Sequence, residues 1–102
     1  MENDRLVALE QVCLYYRAEQ AFIHSLEELG LIRLTFIGQV PYIDRSEIRE
    51  LERMIRMHYE LGINPEGIDA ITHILRRLDG LKAKLKSLRG RLDRYEQEWN
   101  DG

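Results

Sequence analysis

The sequence predicts a mainly α-helical protein, a winged helix-turn-helix followed by a long C-terminal coiled-coil helix. Three observations predict this fold. Two short helical patterns lie close together before residue 30, a β-rich pair of stretches follows them, and residues 71–99 carry an unbroken heptad pattern. A chain of 102 residues suffices for one compact domain and little more. We place the winged domain at 1–70 and the coiled-coil dimerisation helix at 71–102, where the heptad pattern begins.

The helix-turn-helix is predicted over residues 9–29. In its first helix, 9–16, apolar residues share one face at helical spacing: Leu9, Val12 and Cys13, with Tyr16 one turn on. Arg17 and Ala18 make the turn. The second helix, about 18–29, has its own inward face: Phe22, Ile23, Leu26 and Leu29. Gly30 ends it, because glycine adopts the left-handed conformation cheaply.

A short hairpin, or wing, is predicted next. The stretches 33–37 and 40–43 are rich in β-forming residues and flank Gly38-Gln39. Glycine at the first position of a two-residue loop favours a type II′ turn. Proline cannot donate to a strand ladder, so Pro41 is expected on an edge strand.

Two helices are predicted between the wing and the heptad region. Asp44 and Glu47 resemble a capping box at the start of the first. Its apolar stripe is Ile48, Leu51, Ile55, His58 and Leu61, and Gly62 ends it. Asn64 is expected to cap the next helix, with Pro65 at its first position, where a missing N–H costs nothing.

The heptad region is the strongest periodic signal. Ile71 and Ile74 begin a seam with alternating spacings of three and four, which continues with the residues predicted to form a dimer: Leu78, Leu81, Leu85, Leu88, Leu92, Tyr95 and Trp99. A lone helix would expose this seam to water, so we expect a homodimer. In a parallel pair, Arg77 would face Lys82, and Lys84 would face Arg89. An antiparallel pair brings the basic part to the acidic end, and we therefore predict that orientation.

Charge is unevenly distributed along the chain, although the net charge is only −3. Residues 1–30 contain six acidic and two basic residues, whereas residues 76–91 contain seven basic residues and one acidic residue. The second helix of a helix-turn-helix normally enters the DNA major groove. Here that helix has glutamates and no Lys or Arg, whereas affinity for DNA depends on cations. DNA binding is therefore expected to be unlikely.

Catalytic, metal and cofactor sites have no support in the sequence. Cys13 is the single cysteine, which excludes an internal disulfide and fits a reducing compartment. The three histidines show no ligand spacing with Cys13 or with one another. We expect no enzyme activity and no cofactor. Neither a signal peptide nor a membrane-spanning apolar run is visible, so a cytoplasmic protein without a membrane partner is expected.

The order of elements resembles the MerR superfamily, and within it most closely the chaperone-modulator family (CbpM type). Residues 9–13 (LEQVC), 28–32 (ELGLI) and 53–68 (RMIRMHYELGINPEGI) carry the resemblance, and residues 81–95 continue it. Two features depart from relatives. The wing reads Val40-Pro41-Tyr42-Ile43, where relatives often carry tryptophan, and the Arg-Tyr-Tyr signature of DNA-binding members is absent from the second helix.

The resemblance implies a protein that binds the J-domain of a DnaJ-like co-chaperone and blocks the surface by which that J-domain engages Hsp70. J-domains of this class present a basic helix, which an acidic surface would attract. The expected contact residues are Tyr15, Tyr16, Glu19, Gln20, Ile23, Glu27 and Glu28. Two alternatives remain: a MerR-like DNA-binding transcriptional regulator, whose wing carries Arg33, and a dimeric scaffold whose coiled coil is its function.

Overall fold

The structure, a computed structural model, describes residues 5–101 and is mainly helical, with one small sheet. The helices are α1 (Leu9–Tyr16), α2 (Gln20–Glu28), α3 (Ile48–Tyr59) and α4 (Pro65–Asp101). The strands are β1 (Leu6–Ala8), β2 (Leu34–Ile37) and β3 (Val40–Asp44), and a 3₁₀ turn covers Arg45–Glu47. The predicted winged helix-turn-helix with a long C-terminal helix is therefore confirmed.

The wing belongs to a three-stranded antiparallel sheet in the order β1-β3-β2. Strand β1 was not predicted, because its three residues are too few to show an alternating pattern. Gly38 has a φ of +67°, as the predicted type II′ turn requires of its first residue. The hairpin prediction is confirmed, with Ile37 paired to Val40 across the turn.

The prediction that Pro41 lies on an edge strand is wrong, because β3 is the central strand. Ile37 and Val40 flank a two-residue loop and form a hydrogen-bonded backbone pair. Because such pairs alternate along an antiparallel ladder, the backbone N and C=O of the next residue, Pro41, face away from β2. On that other side β1 ends at Ala8, which pairs with Tyr42. Pro41 thus lies one residue beyond β1, where no strand needs its missing N–H.

Helices α1 and α2 meet in the core as predicted. Leu9, Ile23 and Leu26 are fully buried, and Phe22 is 5% exposed. The core comprises Leu9, Val12, Cys13, Ala18, Phe22, Ile23, Leu26, Leu31, Ile32, Leu34, Ile43, Leu51, Met54, Ile55 and Ile68. Arg17, with a φ of +57°, ends α1, and Gly30, with a φ of +77°, follows α2. Cys13 is 8% exposed and packs as a small apolar residue, and this burial raises the pKa of its thiol.

The start of α3 differs from the predicted capping box. The Asp44 carboxylate accepts a hydrogen bond from the N–H of Ser46 (2.9 Å), and a 3₁₀ turn precedes the helix. The Glu47 carboxylate instead accepts from the N–H of Arg33 (3.1 Å). Glu47 therefore ties the turn to the residue preceding β2, and the two acidic side chains do not form a reciprocal pair.

The apolar face of α3 is partly the predicted one. Leu51, Met54 and Ile55 are buried, but Leu61 is 71% exposed, so its predicted place on the buried stripe is wrong. The reason is that α3 ends at Tyr59, and Leu61 lies in the following turn before Gly62, which has a φ of +70°. Helical periodicity no longer directs a side chain beyond the end of its helix.

The separate helix predicted before the heptad region is instead the start of α4, which runs without a break from Pro65 to Asp101. Asn64 caps it as predicted, its side-chain carbonyl accepting from the N–H of Gly67 (2.7 Å). Contacts divide the chain into a unit of residues 1–70, the winged unit, and a unit of residues 71–102, the tail unit.

Helix α2 is held to α3 by aromatic contacts and one hydrogen bond. The Phe22 ring stacks on the His58 ring, with centroids 4.2 Å apart, and the Tyr59 ring meets Phe22 edge-on at 5.6 Å. The Tyr59 hydroxyl accepts a hydrogen bond from the N–H of Glu19 (2.9 Å), immediately before α2 begins. His58 Nδ1 lies 2.8 Å from the carbonyl oxygen of Ile63, which fixes the ring.

Replacing Tyr59 with phenylalanine should lower the free energy of unfolding by about 0.5–1 kcal/mol, because the Glu19 N–H loses its acceptor while the ring contacts remain. Urea denaturation would measure the change. Tyr15→Phe is the matched control, since the Tyr15 side chain is 80% exposed. Equal losses in both variants would contradict a stabilising role for this hydrogen bond.

Candidate functional site

Helix α2 occupies the second position of the helix-turn-helix, and its outward face is acidic. Because Phe22, Ile23 and Leu26 are buried, the polar residues point away from the core. Glu19, immediately before the helix, and Glu28, at its end, are exposed, and Glu27 is half-buried. The helix contains no Lys or Arg. This surface, Glu19, Gln20, Glu27 and Glu28, is called the acidic face below.

The three glutamates of the acidic face differ in their ion pairing. Among the described residues, the carboxylates of Glu19 and Glu28 have no ion-pair partner. Glu27 lies 3.7 Å from His24 Nδ1, one turn back on the helix. Even with His24 protonated, the face would remain negative, so its electrostatic preference is for a cationic surface.

The two predicted tyrosine contacts are differently placed. Tyr15 is 80% exposed, whereas Tyr16 is half-buried and packs against the core, and the rings meet edge-on at 4.8 Å. Burial, and then the nearby Glu52 carboxylate, raise the pKa of Tyr16, so it stays a neutral phenol. Both rings line a hollow of about 280 Å³ with Val7, Gln11, Val12, Arg45 and Ile48.

Ile23 is fully buried, so its predicted role as an exposed partner contact is wrong. Its position on the α2 face that also carries Phe22 and Leu26 explains the burial. Leu14, which precedes Tyr15 in the sequence, was not among the expected contact residues. It is apolar and 74% exposed. Its position off the Leu9–Val12–Cys13 face would have indicated this. Partner contact stays a prediction for the other expected residues: Tyr15, Tyr16, Glu19, Gln20, Glu27 and Glu28.

The heptad seam of the tail unit is open to solvent in the single chain. Leu78 is 44% exposed, and the most exposed seam residue is Trp99, at 75%. The remaining members lie between these values: Leu81, Leu85, Leu88, Leu92 and Tyr95. A row of large apolar side chains along one helix face is the surface that a coiled-coil partner covers.

Within residues 5–101, no group of three His, Cys, Asp or Glu side chains is placed to hold a metal ion. In the same part of the chain, no helix combines the length and apolar character that a membrane span requires.

Comparison with known proteins adds the family. Neither a curated protein nor a solved structure matches the chain. The model of the MerR helix-turn-helix family of regulatory proteins matches residues 7–90, which include the helix-turn-helix, the wing, α3 and most of α4. Because this match spans most of the chain and both units, the chain belongs to the MerR helix-turn-helix family of regulatory proteins.

Proposed function

We propose that this protein is a non-enzymatic modulator that binds the J-domain of a DnaJ-like co-chaperone and inhibits its engagement of Hsp70. The observation that carries the proposal is the acidic face, which lies where DNA-binding members of such a fold present their recognition helix. A helix without cations cannot supply the phosphate contacts that dominate affinity for DNA.

The charge and the exposed apolar residues suit a basic helix of a protein partner. Exposed carboxylates at Glu19 and Glu28 would attract such a helix and raise its association rate. Tyr15 and Leu14, both largely exposed on α1, offer apolar area that the charged groups lack. Phosphate backbones would be repelled by the same carboxylates. These features support the co-chaperone resemblance of residues 53–68 and 81–95.

A DNA-binding transcriptional regulator is the second candidate, because the family to which the chain belongs is described as regulatory. The wing, with the exposed Arg33 before β2, is a second feature in its favour. The two candidates differ in salt dependence. A regulator that neutralises several phosphates loses affinity steeply as salt concentration rises, and it requires a duplex.

We propose that the tail unit forms an antiparallel homodimer in the cytoplasm. The seam residues are between 44% and 75% exposed from Leu78 to Trp99, so pairing would remove a large apolar area from water. A parallel pair would place Arg77 against Lys82 and Lys84 against Arg89. An antiparallel pair lets these basic residues approach Glu96 and Glu98.

Reversing the acidic face (Glu19→Lys, Glu27→Lys, Glu28→Lys) should slow association with a purified J-domain about tenfold or more at low salt, because electrostatic steering is lost. Stopped-flow fluorescence against the wild-type protein measures this rate. The control reverses three acids of α4 (Glu66→Lys, Asp79→Lys, Asp93→Lys) and changes the net charge equally. Wild-type rates in the first variant would exclude the acidic face as the docking surface.

Replacing Leu85 with aspartate should convert the dimer to a monomer, because a charge would be buried in the middle of the seam. Analytical ultracentrifugation would show the change in mass. Ser87→Asp is the matched control: Ser87 is exposed and lies outside the seam, so its variant should remain dimeric. A monomeric wild-type protein would contradict the dimer proposal itself.

A cysteine at Tyr95, in a Cys13→Ser background, tests the orientation. In an antiparallel dimer the two Tyr95 positions lie far apart, so mild oxidation should leave them reduced. In a parallel dimer they would face each other across the seam and form a disulfide readily. Non-reducing electrophoresis distinguishes the two, and rapid, complete cross-linking would overturn the antiparallel orientation.

A further inference from the structure

The outward face of α3 carries a groove that the proposed function does not use. Its volume is about 580 Å³, within the range of ligand-binding clefts. The groove is lined by Arg49, Glu52, Arg53, Arg56, Met57, Glu60 and Leu61. The three arginines are spaced by four and three residues, which places them along one side of the helix.

Apolar area lies at one end of this groove. Leu61 is 71% exposed, and Met57 next to it is half-buried against the core. The fold does not need Leu61 for its core, since the fully buried residues of α3 come earlier in the helix. The groove therefore offers an apolar contact beside a row of cations. This combination suits a partner that has both acidic and apolar side chains.

The arginines are weakly engaged within the chain. Arg53 lies 3.7 Å from Glu50, and Arg56 lies 3.8 Å from Glu60, both pairs being about half exposed or more. Exposed ion pairs of this kind contribute little and can exchange partners. Arg49 has no ion-pair partner among the described residues. All three guanidinium groups can thus donate hydrogen bonds to carboxylates of another molecule, which arginine binds in a bidentate manner.

We propose that the α3 groove binds an acidic amphipathic helix of a partner protein. From Arg49 to Tyr59, where α3 ends, the helix extends about 15 Å at 1.5 Å per residue, which matches about three turns of a partner helix. Carboxylates at helical spacing would meet the arginines, and one bulky apolar side chain would cover Leu61 and Met57. This groove and its ligand are distinct from the acidic face, and the inference does not depend on the J-domain proposal.

The charges of α3 favour a peptide over a nucleic acid. Glu50 and Glu52 lie between Arg49 and Arg53 in the sequence, and Glu60 follows the end of the helix. A continuous phosphate backbone would meet these carboxylates as well as the guanidinium groups, whereas a helix can place each carboxylate opposite one arginine. Phosphates also have nothing to cover Leu61. With a net charge of −3, the chain as a whole repels acidic peptides, so binding would require a specific local site.

The test is fluorescence anisotropy of the full chain with a labelled synthetic amphipathic helix, which has leucines on one face and glutamates beside them. The expected result is saturable binding, weakened at least tenfold by Arg53→Glu with Arg56→Glu, because two attractions become repulsions. Leu61→Ser should also weaken binding, because it removes apolar contact. This loss of affinity should be the same at low and high salt concentration. Circular dichroism confirms that each variant is folded.

The matched control is Arg76→Glu with Lys86→Glu in the tail unit, which changes the net charge equally and should leave binding unchanged. A peptide with lysines in place of glutamates should not use the α3 groove, so any binding that it shows at the acidic face should be unchanged by Arg53→Glu with Arg56→Glu. Failure of the acidic peptide to bind would overturn the inference, as would equal weakening by the control variant. Tighter binding of a labelled single-stranded DNA, abolished by the same α3 reversal, would identify a phosphate site and exclude the acidic helix.

Discussion

The burial of one face of α2 constrains the rest of the winged unit. Phe22, Ile23 and Leu26 close the core against α1 and α3, and the stack of Phe22 on His58 fixes the orientation of α2 about its axis. With that orientation set, the helical period determines which residues can face a partner. Glu19, Gln20 and Glu28 are directed outward because their neighbours in the sequence are directed inward.

This constraint determines which side chains of the helix-turn-helix are available to a partner. In the MerR helix-turn-helix family, to which the chain belongs, the frame positions a helix for contact. The frame itself contains no information about the partner, which is set by the side chains on the free face. Here those side chains include three carboxylates, of which Glu27 alone has an ion-pair partner among the described residues, namely His24. We therefore infer a basic protein surface as the partner. The arginines and the apolar end of the α3 groove instead suit the acidic ligand proposed above.

The sequence predicted those elements whose residues are periodic or have special backbone conformations. The α1 bounds, the Gly38 turn and the continuous helix through the heptads followed from such signals. It could not reveal β1, because three residues have no period and the strand exists only by pairing with β3. Consequently Pro41 was misplaced: whether a strand lies at an edge depends on a partner distant in the sequence.

The candidate site was only partly readable from the sequence, for a related reason. Charge and helical spacing were enough to place the glutamates of α2 outside. Ile23 was predicted both on the inward face and as an exposed contact, and its complete burial decides between the two. The hydrogen bond from Glu19 to Tyr59 spans forty residues, so no local pattern could have predicted it. The α3 groove depends in the same way on the exact end of the helix at Tyr59.

The most direct test of the central claim, that the acidic face serves a protein partner, is isothermal titration of the wild-type chain. One titrant is a purified J-domain from a DnaJ-like co-chaperone of the same genome, and the parallel titrant is a DNA duplex at low salt. The account predicts saturable binding of the J-domain and no binding of the duplex. Duplex binding with a steep dependence on salt, without J-domain binding, would contradict the account and favour a transcriptional regulator.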